Sequence, residues 1–366
     1  MLTHDYFGRP VSQLGFGAMR FPQKDGATDQ EATNALIRSA LDHGVNYFDT
    51  AYSYGTGSNE IALRTALRAS GYPRDAYMIA DKLPFWHVHS AGDMETIFQK
   101  TLENLGTDYL DFYLLHAMNA EHFEKALRFG ALDWIREKKR RGLVRHIGFS
   151  IHDTLESLVR ILDACPWDFV QIQLNLLDEK DRPGLDGYLE LRRRNLPVII
   201  MEPLKGGLLS SLPEHLSAPF RALGGSNASF AFRWLCEKPG LMTILSGMNA
   251  PAQLEENLRI FDAPRPLTAA EHAAVDAVRE NVRRAQRVGC TDCRYCLPCP
   301  QNIPIPEIFR AWNTSALNAG TNWVNNSSID VEAARRCVRC HACEKRCPQK
   351  IAIPDRLAEL VAESAQ

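Results

Sequence analysis

The stretch Asn46-Tyr-Phe-Asp-Thr-Ala-Tyr-Ser-Tyr-Gly55 is an apolar strand that stops at Asp49 and runs into a loop carrying Tyr54. Two later apolar stretches end in the same manner. Tyr77-Met-Ile-Ala-Asp-Lys82 closes on a lysine and Tyr109-Leu-Asp-Phe-Tyr-Leu-Leu-His116 on a histidine. Three successive strands therefore finish in an ionisable residue, which calls for a fold that gathers strand ends on one face.

Outward from these three, apolar strands near 13–19, 45–49, 76–82, 109–116, 145–151, 168–175, 197–202 and 241–246 alternate with amphipathic helical patterns near 29–43, 58–70, 93–105, 121–141, 153–164, 185–195 and 226–238. Strands that are apolar along nearly their whole length belong to a parallel sheet covered on both faces. Eight such units close most naturally into an α/β fold of the (β/α)8 TIM-barrel type, with a doubly wound sheet as the alternative. A short hairpin over 2–12 precedes the barrel, and a helix over 268–287 follows it. Beyond that helix the composition changes, so two domains are expected: 1–284 as the barrel, and 285–366 as a mainly helical, cysteine-bearing domain.

The whole chain of 366 residues has a formal net charge of −2. It therefore offers no global attraction to nucleic acid or to anionic membranes, and neither is expected as a partner. The amino terminus shows no basic segment followed by an apolar one, and no run reaches the roughly 18 apolar residues of a membrane span. A cytoplasmic protein is expected. Of the ten cysteines only Cys165 and Cys236 precede residue 290, a clustering that favours a metal site over a disulfide framework. Those two read as core residues.

A free phenol titrates near pH 10, so a tyrosine acts as general acid at neutral pH only where a cation favours the phenolate. Lys82 supplies the cation, Asp49 holds the ammonium, and His116 positions a carbonyl oxygen beside Tyr54. Each residue alone is more often structural; three at successive strand ends with Tyr54 in the loop after the first point to hydride arriving at a carbonyl carbon while a proton reaches its oxygen.

Asp49-Thr-Ala-Tyr-Ser-Tyr54-Gly, Asp81-Lys82 and Leu114-Leu-His116 resemble the active-site motifs of the aldo-keto reductases, supported by Gly15-Phe-Gly-Ala-Met-Arg20 and Ile147-Gly-Phe-Ser150. The resemblance runs from residue 1 to about 262. It implies an eight-stranded barrel, NAD or NADP bound without a glycine fingerprint, a small carbonyl or alcohol substrate, and Asp49, Tyr54, Lys82 and His116 as the catalytic set. It also implies Gly17 and Met19 as cofactor contacts, Ser150 and Gln171 on the nicotinamide carboxamide, Met201 at the nicotinamide face, Leu204 and Gly206 at the pyrophosphate, and Gly247, Gln253, Glu256 and Asn257 around the adenosine. NADP-preferring members usually carry cations at the positions of Gly247 and Gln253, so the choice between NAD and NADP stays open.

The cysteines fall as Cys290-x2-Cys293-x2-Cys296-x2-Cys299-Pro300 and Cys337-x2-Cys340-x2-Cys343-x3-Cys347-Pro348. Thiolates at this spacing suit cubane iron-sulfur clusters, with zinc as the alternative. The segment resembles bacterial two-cluster ferredoxins, which implies two 4Fe-4S clusters. In such ferredoxins the fourth cysteine of each run ligates the other cluster. The resemblance thus pairs Cys290, Cys293 and Cys296 with Cys347, and Cys337, Cys340 and Cys343 with Cys299. One departure is the x2 spacing before Cys299, where the usual run has x3. Helix is expected near 305–318 and loop over 322–328. Arg335, Arg336, Arg339, Lys345, Arg346 and Lys350 crowd the second quartet, either offsetting the cluster's charge or presenting a docking patch for an acidic electron carrier or flavoprotein.

The expected function is NAD(P)-dependent carbonyl reduction, or its reverse, in a chain carrying two clusters. The alternative is a nicotinamide-sensing or electron-transfer protein in which the barrel is not the main catalyst.

Overall fold

The structure is a computed structural model and describes residues 1–179, 183–319 and 329–364. The expected loop over 322–328 lies outside them. Twelve strands are described: β1 (Thr3–Tyr6), β2 (Arg9–Ser12), β3 (Leu14–Gly17), β4 (Gln23–Lys24), β5 (Ala27–Thr28), β6 (Tyr47–Asp49), β7 (Met78–Pro84), β8 (Leu110–Met118), β9 (Val144–Ile151), β10 (Phe169–Gln173), β11 (Val198–Met201) and β12 (Leu241–Ser246). The helices are α1 (Gln30–Asp42), α2 (Ser58–Ala69), α3 (Ala91–Leu105), α4 (Ala120–Arg128), α5 (Ala131–Arg140), α6 (Leu155–Ala164), α7 (Gly184–Arg193), α8 (Glu214–Ala222), α9 (Asn227–Cys236), α10 (Pro251–Asp262), α11 (Ala269–Ala285), α12 (Ile305–Ala319), α13 (Val331–Arg335), α14 (Ala342–Arg346) and α15 (Ile353–Glu363).

Eight strands close into a parallel barrel in the order β10-β11-β12-β3-β6-β7-β8-β9, so the TIM-barrel expectation holds and the doubly wound alternative does not. Strand β8 shows why the apolar runs read as they did: all nine of its residues are buried. The acid inside it, Asp111, is neutralised by Arg74 at 2.8 Å, Arg145 at 3.0 Å and Arg9 at 3.3 Å. The barrel interior is filled by Tyr47, Met78, Phe112, Leu114, Phe169, Ile199 and Met242 among others.

The hairpin β1-β2 forms as expected, turning at Phe7-Gly8, both with positive φ. A second hairpin, β4-β5, was not anticipated, although its Asp25-Gly26 turn carries the residues such turns need. The single helix expected over 121–141 is two, α4 and α5. Gly130 adopts φ 69 between them, a left-handed conformation that interrupts the helical hydrogen bonds.

By compactness the chain divides into two units: Met1–Pro203 with Phe232–Pro266, and Leu204–Ala231 with Leu267–Gln366. The first holds the barrel. The second contains α8, α11 and the cysteine segment. Helix α8 buries Leu216 and Phe220, and Phe220 stacks on Phe230 with ring centroids 4.2 Å apart. The second unit has its own core, built from Val288, Ile303, Ile308, Phe309, Trp312, Ile353, Leu357 and Leu360, with five of the cysteines packed against it and Cys347 inside it. Among the described residues no helix is long and apolar enough to cross a membrane.

Candidate functional sites

In the first unit Asp49, Lys82 and His116 stand on the neighbouring strands β6, β7 and β8, and Tyr54 opens the short 3-10 turn that follows β6. The four come together. Lys82 Nζ donates to Asp49 Oδ1 and, at 2.7 Å, to the carbonyl of Thr50, while Tyr54 Oη lies 3.5 Å from the same ammonium. The Tyr54 and His116 rings meet nearly edge to face with centroids 5.9 Å apart, and the Trp86 ring lies 5.0 Å from that of His116. Lys82, Asp49 and His116 are buried, whereas Tyr54 is half-buried and can reach a ligand.

Burial pushes the Asp49 carboxyl up, and the Lys82 ammonium opposes that shift. Burial also drives His116 well below the ordinary imidazole range, helped by the charges of Lys82, His152 and His122. The ring is therefore neutral at physiological pH. It can orient a carbonyl oxygen and leave proton donation to the phenol.

Behind this set lies a buried carboxyl pair that sequence reading did not single out. Asp81 and Glu60 are both 0 % exposed. Asp81 Oδ1 accepts from the backbone N–H groups of Tyr52, at 3.2 Å, and Lys82, at 2.5 Å. Glu60 Oε2 accepts from Asn104 Nδ2 at 2.7 Å. Their remaining oxygens, Asp81 Oδ2 and Glu60 Oε1, have no donor, and the two side chains engage each other. Burial pushes both carboxyls up, and the neighbouring Glu60 charge helps to carry Asp81 well above the ordinary carboxylate range, so the two compete to hold a proton. It ties α2 to the end of β7, and through Tyr52 to the loop bearing Tyr54.

The residues assigned to the carboxamide suit it chemically. Ser150 and Gln171 are register partners on β9 and β10. The Ser150 hydroxyl accepts from Ala117 N–H at 2.8 Å, which leaves its own proton to donate; the buried Gln171 Oε1 has no donor. A primary carboxamide needs one donor for its oxygen and one acceptor for its nitrogen, and this pair offers both. Gly17 and Met19 flank Ala18, whose carbonyl is held by the buried Asn59 at 2.7 Å. Met201 ends β11, and Asn257 on α10 donates to Ser246 Oγ at 3.0 Å. Glu256 lies on the same helix, and Gln253 Oε1 accepts from Asn249 N–H at 2.9 Å. The Arg20 side chain lies against Gly247, where an added Cβ would meet it at 3.6 Å. That cation was not anticipated at this place. Asn175, by contrast, is consumed by local structure, bonding Asp178 and the Glu202 carbonyl.

Leu204 and Gly206 fall in the second unit. Gly206 has φ 65, and a Cβ there would stand 2.4 Å from the carbonyl oxygen of Thr291, so only glycine fits. In that unit the cysteines line two cavities. Cys290, Cys293 and Cys296 line one with Cys347; Cys337, Cys340 and Cys343 line the other with Cys299. Four thiolates lining one cavity, at this sequence spacing, suit the soft iron of a cubane cluster. Cys165 and Cys236 are raised by burial to about 11 and about 12, which makes them inert packing residues.

Barrel, strand-end residues and cysteine runs together define an oxidoreductase with an iron-sulfur appendage. The model of the aldo/keto reductase family matches residues 13–280, and the chain belongs to that family; a 4Fe-4S dicluster domain matches residues 289–352. Relatives include L-galactose dehydrogenase of Arabidopsis thaliana, 28 % identical over 69 % of this chain and 84 % of that protein. A 9,11-endoperoxide prostaglandin H2 reductase of Trypanosoma cruzi is 28 % identical over 75 % of this chain and 89 % of its own length. An aldo-keto reductase of Klebsiella pneumoniae, solved with NADPH, has the same fold at TM-score 0.61 and 22 % identity, over 74 % of this chain and 92 % of that one.

Proposed function

We propose that the chain reduces a small carbonyl compound to an alcohol, or runs the reverse, with a nicotinamide cofactor and with Tyr54 as the general acid or base. The observation that carries this reading is the contact of Lys82 Nζ with Asp49, the Thr50 carbonyl and the Tyr54 hydroxyl. A bound NADH or NADPH supplies the hydride. Ser150 and Gln171 turn the carboxamide, and thereby fix which ring face is presented. His116, neutral, orients the substrate oxygen beside Tyr54. As the oxygen gains charge Tyr54 gives up its proton, and the fixed Lys82 ammonium stabilises the phenolate that remains.

The cysteine set supports two 4Fe-4S clusters, one held by Cys290, Cys293, Cys296 and Cys347, the other by Cys337, Cys340, Cys343 and Cys299. Such clusters carry electrons singly whereas hydride carries two together, so they serve an electron carrier rather than exchanging directly with the nicotinamide. Anaerobic steady-state assays of aldehydes, ketones and sugars with NADH and NADPH test the reading. Turnover of at least one carbonyl class is expected. Tight nicotinamide binding with no turnover on any class would replace the enzyme by a nicotinamide sensor.

A further inference from the structure

Asp81 is wholly buried, and its Oδ1 accepts from two backbone N–H groups, those of Lys82 at 2.5 Å and Tyr52 at 3.2 Å. Both donors belong to the candidate site. One is the main chain of the lysine itself. The other stands two residues before Tyr54, on the segment whose Thr50 carbonyl takes the Lys82 ammonium at 2.7 Å. The far end of this segment rests on the second carboxyl. Gly57 ends the 3-10 turn that Tyr54 opens, with φ 85, and a Cβ there would come 3.3 Å from Asn104 Nδ2 and 3.6 Å from Glu60 Oε2. The turn bearing the phenol is thus held before it by Asp81 and after it by Glu60 and Asn104.

The way Asp81 is bound separates a positioning role from a merely stabilising one. Asp111, the buried acid on the next strand, is matched to the guanidinium groups of Arg74, Arg145 and Arg9. Asp81 takes main-chain donors instead: one oxygen joins two backbone segments, and the other faces Glu60, with neither Asp81 Oδ2 nor Glu60 Oε1 receiving a donor. For stability alone, apolar side chains of similar volume would serve a buried site as well as two acids. A hydrogen-bonded carboxyl does what they cannot, because it fixes the main chain of residue 52 against that of residue 82. Displacement of either moves the phenol relative to the ammonium, and a shift of about 1 Å in such a set can cost about a hundredfold in rate.

We propose that Asp81, backed by Glu60, is a positioning residue for the reaction: one carboxyl oxygen holds the backbones of Tyr52 and Lys82 together and so sets the Tyr54 phenol against the Lys82 ammonium. The inference rests on the carbonyl-reductase reading above. With no exposed surface, Asp81 acts only through the residues it holds.

The test uses the full chain, purified anaerobically, and a carbonyl compound that the wild type turns over, with Tyr54→Phe alongside. Asp81→Ala removes the acceptor, so kcat should fall at least about tenfold, while KM and the nicotinamide Kd stay within about threefold of wild type. Asp81→Asn keeps an oxygen for the two N–H groups and turns an NH2 toward Glu60; it should recover kcat to within about threefold of wild type. Should the alanine variant fail to fold, Asp81→Ala combined with Glu60→Gln leaves no buried charge there, keeps an acceptor for Asn104, and carries the same expectation. An alanine variant that loses melting temperature but no kcat would overturn the positioning role, and the proposed reaction would stand as long as Tyr54→Phe is slow. An asparagine variant as slow as the alanine one would also overturn it, since the carboxyl's charge rather than its hold on two N–H groups would then matter. A wild type that turns over no carbonyl compound would overturn the reaction and the positioning role together.

Discussion

At the scale of single residues the Tyr54 phenol and the Lys82 ammonium do separate things, and substitution should show it. Tyr54→Phe removes only the proton donor, so turnover should fall by at least about a hundredfold while nicotinamide binding stays nearly intact. Equal turnover by the variant would end the assignment. Lys82→Met should be as severe, because an apolar side chain in a buried site leaves Asp49 without its counter-ion and the phenolate without its cation. The Glu60–Asp81 pair makes a different prediction, about stability. Its proton is held more tightly in the folded chain than in the unfolded one, where carboxyls titrate near pH 4. Between that value and the raised folded value the folded state binds more protons, so this pair's contribution to stability falls as pH rises. Glu60→Gln keeps a hydrogen-bond donor facing Asp81 and removes the shared titration. Relative to wild type its melting temperature should rise as pH goes from about 5 to about 9; a constant difference would show that no proton is shared.

At the scale of elements, much was legible because the information is local. Strand β6 ends on Asp49, and β7 and β8 carry Lys82 and His116 two residues before their ends, so both the barrel and its candidate site could be read from three short apolar stretches. What escaped depends on contacts between segments distant in the chain. Glu60 on α2 meets Asp81 on β7, and Arg20 comes to lie against Gly247 only when β12 pairs with β3. The division of the helix expected over 121–141 was lost for a smaller reason, since an isolated glycine is tolerated inside a helical pattern and Gly130 shows its left-handed φ only in the fold. Helix α10 carries the prediction at this scale. Gln253 bears no charge for a 2′-phosphate, so the wild type should prefer NADPH over NADH only weakly, or prefer NADH. Gln253→Arg should improve NADPH affinity selectively, read from paired binding titrations. A wild-type preference for NADPH above about a hundredfold, about 2.7 kcal/mol, would assign the phosphate to another cation, and Arg20 beside Gly247 is the first to test.

At the scale of the whole molecule the chain resolves into two compact units, and the second is one in which metal stands where a larger domain would have more core. Five cysteines pack against the apolar cluster of Trp312, Phe309 and Leu360, and Cys347 is buried within it. Domains of this size often draw folding energy from their metal. The composition change near 285 marks where the cysteines begin, whereas the compact division also takes in α8 and α11, which pack against each other. The two cavities interlock along the sequence: Cys347 closes the cavity of the first quartet, and Cys299 that of the second. The residue before a proline is held extended, which carries each of these cysteines out of its own turn and toward the other. Cys347→Ser should therefore damage the cluster held by Cys290, Cys293 and Cys296, some fifty residues upstream, and Cys299→Ser the cluster held by Cys337, Cys340 and Cys343. Iron should fall from about eight to about four per chain in each single variant. Reduced samples of either variant should lose the magnetic coupling between clusters that the wild type shows by electron paramagnetic resonance. If Cys347→Ser instead abolished the signal of the cluster near Val338 and spared the other, each quartet would close on its own cluster, and the short spacing before Cys299 would be the first place to look for the cause.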